Sequence, residues 1–406
     1  MQEDFENSLT SEPSNKGTRP PGVRQILSRA PTRIDLAGGT VDIWPLYLFL
    51  KNPVTVNLAI SLYAEAEVRS SPDDNDGGGA IVLQSEDQKT KHRFTWQDME
   101  ALNQEPVSTN LPKGLELHAK LLAYFSARKK KAGRFQNGDG ITLKTRAQSP
   151  AGAGLGGSSA LSIAIIGALA AWETQAAEGA EFDCQRDGEN FIQIVRDIET
   201  TVIQVPAGLQ DYYSAMYGGL QSLRWKPGTH EHHWLPQELI TELQDRLLLF
   251  YSGQSRNSGI NNWALFKGFI DQPLGGPQDS SEDIRAKFGK ISEATAKLET
   301  ALRARRWTEV GAAIQEEWSI RQTLASGIST PEIDRALSEA SRLTPMSGKV
   351  CGAGGGGCFF VYLSENQAGR RAELKARIQE IFLNQGMRPL PFHGVPRGLE
   401  VRVGRY

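Results

Sequence analysis

Pro150-Ala151-Gly152-Ala153-Gly154-Leu155-Gly156-Gly157-Ser158-Ser159-Ala160 runs straight into an apolar stretch that meets no charge before Glu173. Glycine lets backbone N–H groups crowd around an anion, and a helix N-terminus adds a favourable dipole. A loop of this composition, ending in two serines at the start of a helix, is read as a phosphate cradle. A second run, Gly352-Ala353-Gly354-Gly355-Gly356-Gly357, opens instead into the strand-like Cys358-Phe359-Phe360-Val361-Tyr362-Leu363. Together the two runs imply an enzyme that handles a nucleotide.

Both runs match G-x-G-x-x-G, at Gly152/Gly154/Gly157 and Gly352/Gly354/Gly357. A dinucleotide-binding unit also needs a second strand ending in an acidic residue about 20 residues on. After the first run that place is taken by a polar, Ala-rich stretch, 173–183, and the second run leads into a strand rather than a helix. Neither run continues into the Gly-Lys-Ser/Thr of a P-loop, and no His-Arg-Asp catalytic loop is present. The number of glycines ahead of the serines argues against a mere packing turn at the first run. For the second, a glycine run that lets a strand pass close to a helix stays open.

Outward from the loops, strands lead and helices gather later. Segments 26–69, 81–84, 92–96, 140–146, 247–251 and 399–403 read as strands, with 54–68 as one long one. Segments 115–129, 160–172, 191–204, 284–305, 307–326, 331–343 and 369–385 read as helices. This is not a regular βαβ alternation, so the expected class is α+β. The expected division is a disordered tail at 1–24, rich in Ser, Glu, Asn, Pro and Gly, followed by lobes at 25–225 and 226–406. Residues 71–79 and 271–283 read as loops, and Arg128-Lys129-Lys130-Lys131 as a solvated helix end.

At 406 residues, 39% hydrophobic and 23% charged, the chain reads as an ordinary globular protein large enough for two lobes. A formal charge of −2 gives no reason to expect nucleic acid or an anionic membrane as partner. Cys184, Cys351 and Cys358 are scattered, with no C-x-x-C, which argues against structural zinc or a disulfide framework and for a cytoplasmic setting. No apolar run approaches the roughly 20 residues needed to span a bilayer, and the N-terminus is polar rather than signal-like. Nothing in the sequence sets an oligomeric state.

Glu199 is out of place. On a helix over 191–203, Phe191, Ile192, Ile194, Val195, Ile198, Val202 and Ile203 share a broad face, and Glu199 falls within it. Burying an ionised carboxylate costs several kcal/mol unless it is paired or bound to a cation. A metal ligand beside the phosphate loop and a buried Glu–Arg pair are the two readings. Asp211 follows a Pro206-Ala207-Gly208 break, where it is read either as a functional carboxylate or as a helix N-cap.

With these pieces in hand, the chain resembles the GHMP kinases over nearly all of residues 26–405. The resemblance rests on three segments in order: Arg29-Ala30-Pro31-Thr32-Arg33-Ile34-Asp35-Leu36-Ala37-Gly38-Gly39-Thr40-Val41-Asp42, the loop at 150–160, and the loop at 352–357. It implies a two-lobed α+β fold, with an N-terminal lobe like ribosomal protein S5 domain 2, a ferredoxin-like C-terminal lobe, and the active site between them. It implies ATP and Mg²⁺ as cofactors. The phosphates would lie on Pro150, Gly152, Gly154, Leu155, Gly156, Gly157, Ser158 and Ser159, and the metal on Glu199 and a serine, with Ser159 preferred over Ser158. Asp211 and Arg33 would be the catalytic pair, and Gly38, Gly39, Thr40, Asp42 and Gly354 would meet the acceptor.

Galactokinases carry Gly-Glu-His-Thr-Asp where this chain has Gly38-Gly39-Thr40-Val41-Asp42, which disfavours galactose. The Gly-Gly resembles the heptose 7-phosphate kinases and the fucokinase kinase domain. The implied reaction is phosphorylation of the anomeric hydroxyl of a heptose phosphate, fucose or similar sugar. A mevalonate-type kinase and a non-catalytic sugar- and ATP-binding sensor are the alternatives. Arg256 is a candidate contact should the acceptor already carry a phosphate.

Overall fold

The computed structural model describes residues 24–71, 79–104, 111–133, 140–177, 179, 183, 185–254, 258–271 and 283–405. The expected tail apart from Arg24, the interiors of the loops expected at 71–79 and 271–283, Cys184 and Arg256 lie outside the described residues.

Strand β1 (Arg24–Ala37) pairs antiparallel with the long β2 (Val54–Ser71). The two halves of β2 differ. From Val54 to Ile60 every residue is buried, and Val54, Val56, Leu58 and Ile60 join a core shared with helices of the second lobe. Beyond Ser61 the strand alternates, with Leu62, Ala64, Ala66 and Val68 turned inward and Tyr63, Glu65 and Glu67 less buried. Strands β3 (Ile81–Ser85), β4 (Thr90–Phe94) and β5 (Gly140–Ala147) extend the sheet in the order β1-β2-β5-β3-β4, with β3 and β5 parallel. Trp96, expected to end a strand, opens helix α1 (Trp96–Gln104). Thr95 Oγ1 accepts the Asp98 N–H at 3.2 Å, and Asp98 Oδ2 accepts the Thr95 N–H at 2.7 Å, a capping box that overrides the strand-like pattern.

Helix α2 (Glu116–Lys131) precedes β5, and α3 (Gly157–Glu173) follows it. Helix α3 is apolar all round because it is the centre of the first lobe, packed on β1, β2 and neighbouring helices. Next come α4 (Gly188–Ile203) and α5 (Gln210–Tyr217), then the hairpin of β6 (Leu220–Lys226) and β7 (Thr229–Trp234). Strand β6 pairs with β2, so the division expected between residues 225 and 226 cuts through a hairpin of the first sheet.

The second lobe begins with α6 (Glu238–Gln244), β8 (Leu247–Tyr251) and α7 (Ser258–Asp271). Helices α8 (Ile284–Arg303), α9 (Trp307–Arg321) and α10 (Pro331–Ser341) follow, then β9 (Met346–Val350), β10 (Cys358–Leu363), α11 (Ala368–Asn384) and β11 (Arg388–Pro389). The four strands form an antiparallel sheet ordered β11-β8-β10-β9. One core joins the lobes: Val56, Leu58 and Ile60 of β2 pack with Leu298 and Leu302 of α8, Ile314 of α9 and Phe360 of β10. The last strand, β12 (Glu400–Arg405), returns to the first sheet and covers the free edge of β1, so the second lobe does not run to the chain end as expected. Among the described residues no helix is long and apolar enough to cross a membrane.

Candidate active site

The first glycine loop enters α3 through Gly156, whose φ of 71° lies in the left-handed region. No side chain caps this helix, so its first-turn N–H groups face the loop and any anion it holds. A Cβ on Gly156 would sit 3.2 Å from the Asp211 carboxyl, so a side chain there would be strained in its backbone and would crowd that carboxyl. The second glycine run backs the first. Cys358 N–H donates to the Ala153 carbonyl at 2.7 Å, and a Cβ on Gly357 would lie 2.8 Å from that same oxygen. The second run does make a close passage, but what it passes is the first loop rather than the expected helix.

These segments surround a cavity of about 600 Å³. Arg33, Gly39, Thr40 and Asp42, the whole stretch from Pro150 to Ser159, Glu199 and Asp211 all line it. Two expected residues do not. Gly38 is packed under β2, where a Cβ would meet the Val54 carbonyl at 2.2 Å, and Gly354 is packed against Ile328. From the second run it is Gly352 and Ala353 that reach the cavity.

Arg33 comes from β1 and Asp211 from the first turn of α5. Arg33 Nε donates to Asp211 Oδ1 at 2.7 Å, Nη2 lies 2.7 Å from the same oxygen, and Nη1 donates to the Gly154 carbonyl at 2.6 Å. One guanidinium thus holds both the carboxylate and the phosphate loop, while Oδ2 of Asp211 remains beside Gly156. Burial works against the Arg33 charge, but Asp211 and Asp35 outweigh it and raise its pKa further. The N-cap position of α5 is Leu209 and no side chain caps the helix, so Asp211 is not serving as a cap.

Glu199 is 5% exposed, as its place on the helix face requires. Burial pushes its carboxyl up; the hydroxyls of Ser158 and Tyr212 pull it back, and the nearby Asp211 charge adds to the rise. Tyr212 Oη donates to Glu199 Oε2 at 2.7 Å, and among the described residues no arginine takes part, so no Glu–Arg pair forms there. Ser158 stands exposed to the cavity beside Glu199, whereas Ser159 is buried with its hydroxyl beside Tyr212. The geometry favours Ser158 over the expected Ser159 as the hydroxyl next to the carboxylate.

Asp42 is buried and accepts the Gln210 N–H at 2.9 Å. Burial pushes its pKa up to about 6, with the charges of Asp211 and Asp35 adding and the Gln210 N–H opposing. Two residues before it, Thr40 has φ 75°, a conformation that costs a β-branched residue on the order of 1–3 kcal/mol. The Asp42 carboxyl is more basic folded than unfolded, so in its ionised form it costs stability above pH 6, and that cost disappears as pH falls towards 4. Asp42→Asn is therefore expected to stabilise the fold at pH 8 by on the order of 1–3 kcal/mol and by much less at pH 4.5. Chemical denaturation at the two pH values measures the difference; equal effects would contradict it.

Sequence reasoning missed Tyr212 as the partner of Glu199, and missed the far wall of the cavity. Asp87, Glu116 and His118 line that wall, with His118 Nε2 2.6 Å from Thr145 Oγ1 and its pKa lowered by burial to about 4. His118 lies on the buried side of α2, so a helix-face count like the one that exposed Glu199 would have found it.

Residues 118–219 match the family model described as GHMP kinases N terminal domain, and 298–379 match that described as GHMP kinases C terminal. The chain is 28% identical over 363 residues to the L-fucokinase/L-fucose-1-P guanylyltransferase of Bacteroides fragilis, covering 85% of this chain but only 35% of that protein. It is 24% identical over 346 residues to the D-glycero-alpha-D-manno-heptose 7-phosphate kinase of Campylobacter jejuni, covering 84% and 90% of the two chains. The fold is also that of the Lactococcus lactis galactokinase crystallised with galactose, at 13% identity and a TM-score of 0.66, over 92% of this chain and 94% of that one.

Proposed function

The chain belongs to the GHMP kinase superfamily, and from that premise we propose that it is an ATP- and Mg²⁺-dependent sugar kinase acting on an anomeric hydroxyl. The observation that carries the proposal is convergence: Arg33, Ser158, Glu199 and Asp211, from four separate elements, line one cavity at the mouth of an uncapped helix. A sugar acceptor is supported by the names of the two relatives, a fucokinase and a heptose 7-phosphate kinase.

Phosphoryl transfer asks for positioning and charge stabilisation more than for covalent chemistry. Backbone N–H groups of residues 152–159 cradle the phosphates. Glu199 and Ser158 fit Mg²⁺, because a carboxylate raised by burial and an exposed hydroxyl give a hard cation two oxygens. Mg²⁺ takes few protein ligands, and among the described residues no cluster of three or more acidic, His or Cys groups competes for that role. Bound there, the ion neutralises charge on the transferring phosphate. Asp211, pinned through Oδ1, presents Oδ2 to the acceptor hydroxyl, orients it and takes its proton. Arg33 keeps that carboxylate in register with the loop that holds the phosphates, and Asp42 accepts a hydroxyl of the sugar.

Ser158→Ala is expected to lower turnover at limiting Mg²⁺ by about tenfold or more, with Ser159→Ala costing less. A larger loss from Ser159→Ala, read as a raised Mg²⁺ requirement, would reverse the assignment. The function itself is tested by following ADP release with ATP, Mg²⁺ and a panel of L-fucose, heptose 7-phosphate, galactose and mevalonate. Turnover with fucose or heptose 7-phosphate is expected. Turnover with mevalonate alone would overturn the sugar assignment, and a protein that binds sugar and ATP without turnover would be a sensor.

A further inference from the structure

Beneath the acceptor end of the cavity lie four charged side chains that the proposed chemistry does not use. Asp35 near the end of β1, Glu317 and Arg321 on α9, and Lys349 on β9 are each 0–1% exposed. Lys349 Nζ lies 3.2 Å from both Asp35 Oδ2 and Glu317 Oε1. Arg321 donates to Glu317 Oε1 from Nε at 2.9 Å and from Nη2 at 2.6 Å. The set then reaches out to backbone at two points. Arg321 Nη2 donates to the Gly39 carbonyl at 2.8 Å, and Gly38 N–H donates to Glu317 Oε1 at 3.2 Å.

Buried ion pairs of this kind are often no more stabilising than apolar residues of similar size, so stability alone does not account for them. What they add is direction. The backbone they grip is unusual, with φ 85° at Gly38 and 75° at Thr40, and Asp42 follows two residues later. Lys349 itself stands three residues before Gly352, where the second glycine run begins.

We infer that Arg321, together with Glu317 and Lys349, is a positioning group: from the second lobe it fixes the backbone of residues 38–40 and so sets Asp42 against the acceptor. The inference rests on the cavity being a sugar-kinase site with Asp42 at its acceptor end. It predicts that acceptor affinity depends on α9, which touches neither substrate in the proposed chemistry.

Two variants separate positioning from general damage. Arg321→Lys keeps the charge but loses the planar fork that reaches Glu317 and Gly39 together. The double variant Glu317→Leu with Arg321→Met removes the pair without leaving either charge unpaired. Each is followed by hydrogen exchange over residues 38–43, where the Val41 and Ile43 N–H groups bond to the Gly38 and Thr40 carbonyls, and by steady-state kinetics on the most active sugar. Exchange is expected to quicken in that segment first, and acceptor KM to rise about tenfold or more while kcat and the KM for ATP change less than about threefold. Arg321→Lys, the milder change, is expected to shift the same quantities by less.

Unchanged exchange and unchanged acceptor KM in a folded variant would overturn the inference. So would equal losses in acceptor KM, ATP KM and kcat, which mark a general structural effect. If the unaltered protein phosphorylates no sugar, the kinase reading fails on that result, and the exchange experiment still decides whether α9 orders the loop.

Discussion

Asp211→Asn is expected to lower turnover by on the order of 10²–10⁴ while ATP and sugar still bind. The amide is nearly isosteric, and its oxygen can still accept from Arg33, whose Nε now lies 2.7 Å from Oδ1. What is lost is a group able to take the proton of the acceptor hydroxyl. A purely structural Asp211, holding Arg33 and no more, would instead show its loss in stability and spare catalysis. The two outcomes differ in kind. Calorimetric ATP binding with single-turnover kinetics separates them, and an Asn variant with near-normal turnover would sink the mechanism even with the fold intact.

Glu199→Gln is expected to keep the fold and to lower Mg²⁺-dependent turnover by about 10²-fold or more, because a metal–carboxylate contact at a transferring phosphate is worth several kcal/mol. The sign of the stability effect follows from burial. The Glu199 carboxyl is more basic in the folded chain than in the unfolded one, so its ionised form costs stability at neutral and higher pH. A neutral amide removes that cost and still accepts the Tyr212 hydroxyl. The melting temperature at pH 8 should therefore hold or rise while the Mg²⁺ titration of turnover shifts to higher concentration. A fall in stability with unchanged Mg²⁺ dependence would mark Glu199 as structural.

Glu199 and the first glycine loop were legible in the sequence because each violates a local rule. A carboxylate on an apolar helix face needs a partner, whether a cation or a side chain, and glycines crowded before a helix need more than a packing turn to explain them. Asp211 was half legible: its type and its place after a chain break were visible, but its pairing with Arg33, 178 residues away in sequence, is a tertiary fact. The choice between Ser158 and Ser159 depends on which rotates towards the cavity in the first turn of α3, which composition does not encode.

Strand β9 was missed because Ser347, Gly348 and Lys349 do not read as a buried strand, yet all three are buried. Lys349 is tolerated there because Asp35 and Glu317 meet it, and neither partner is near it in sequence. The return of β12 to β1 was invisible for the same reason, since an edge strand declares its sheet only through its partner. Glu317 and Arg321 could have been found: they fall with Val310, Ile314 and Trp318 on the buried side of α9, the same kind of violation that singled out Glu199.

The most direct test of the central claim is the position of the new phosphate. The protein is incubated with Mg²⁺, ATP and the sugar that releases most ADP, and the product is examined by phosphorus and proton nuclear magnetic resonance. A phosphorus resonance coupled to the anomeric proton is the expected result, with the free reducing end lost as ADP accumulates. A new phosphate coupled to any other carbon, or ADP released with free phosphate and an unchanged sugar, would contradict the assignment of Asp211 and Asp42 to an anomeric hydroxyl.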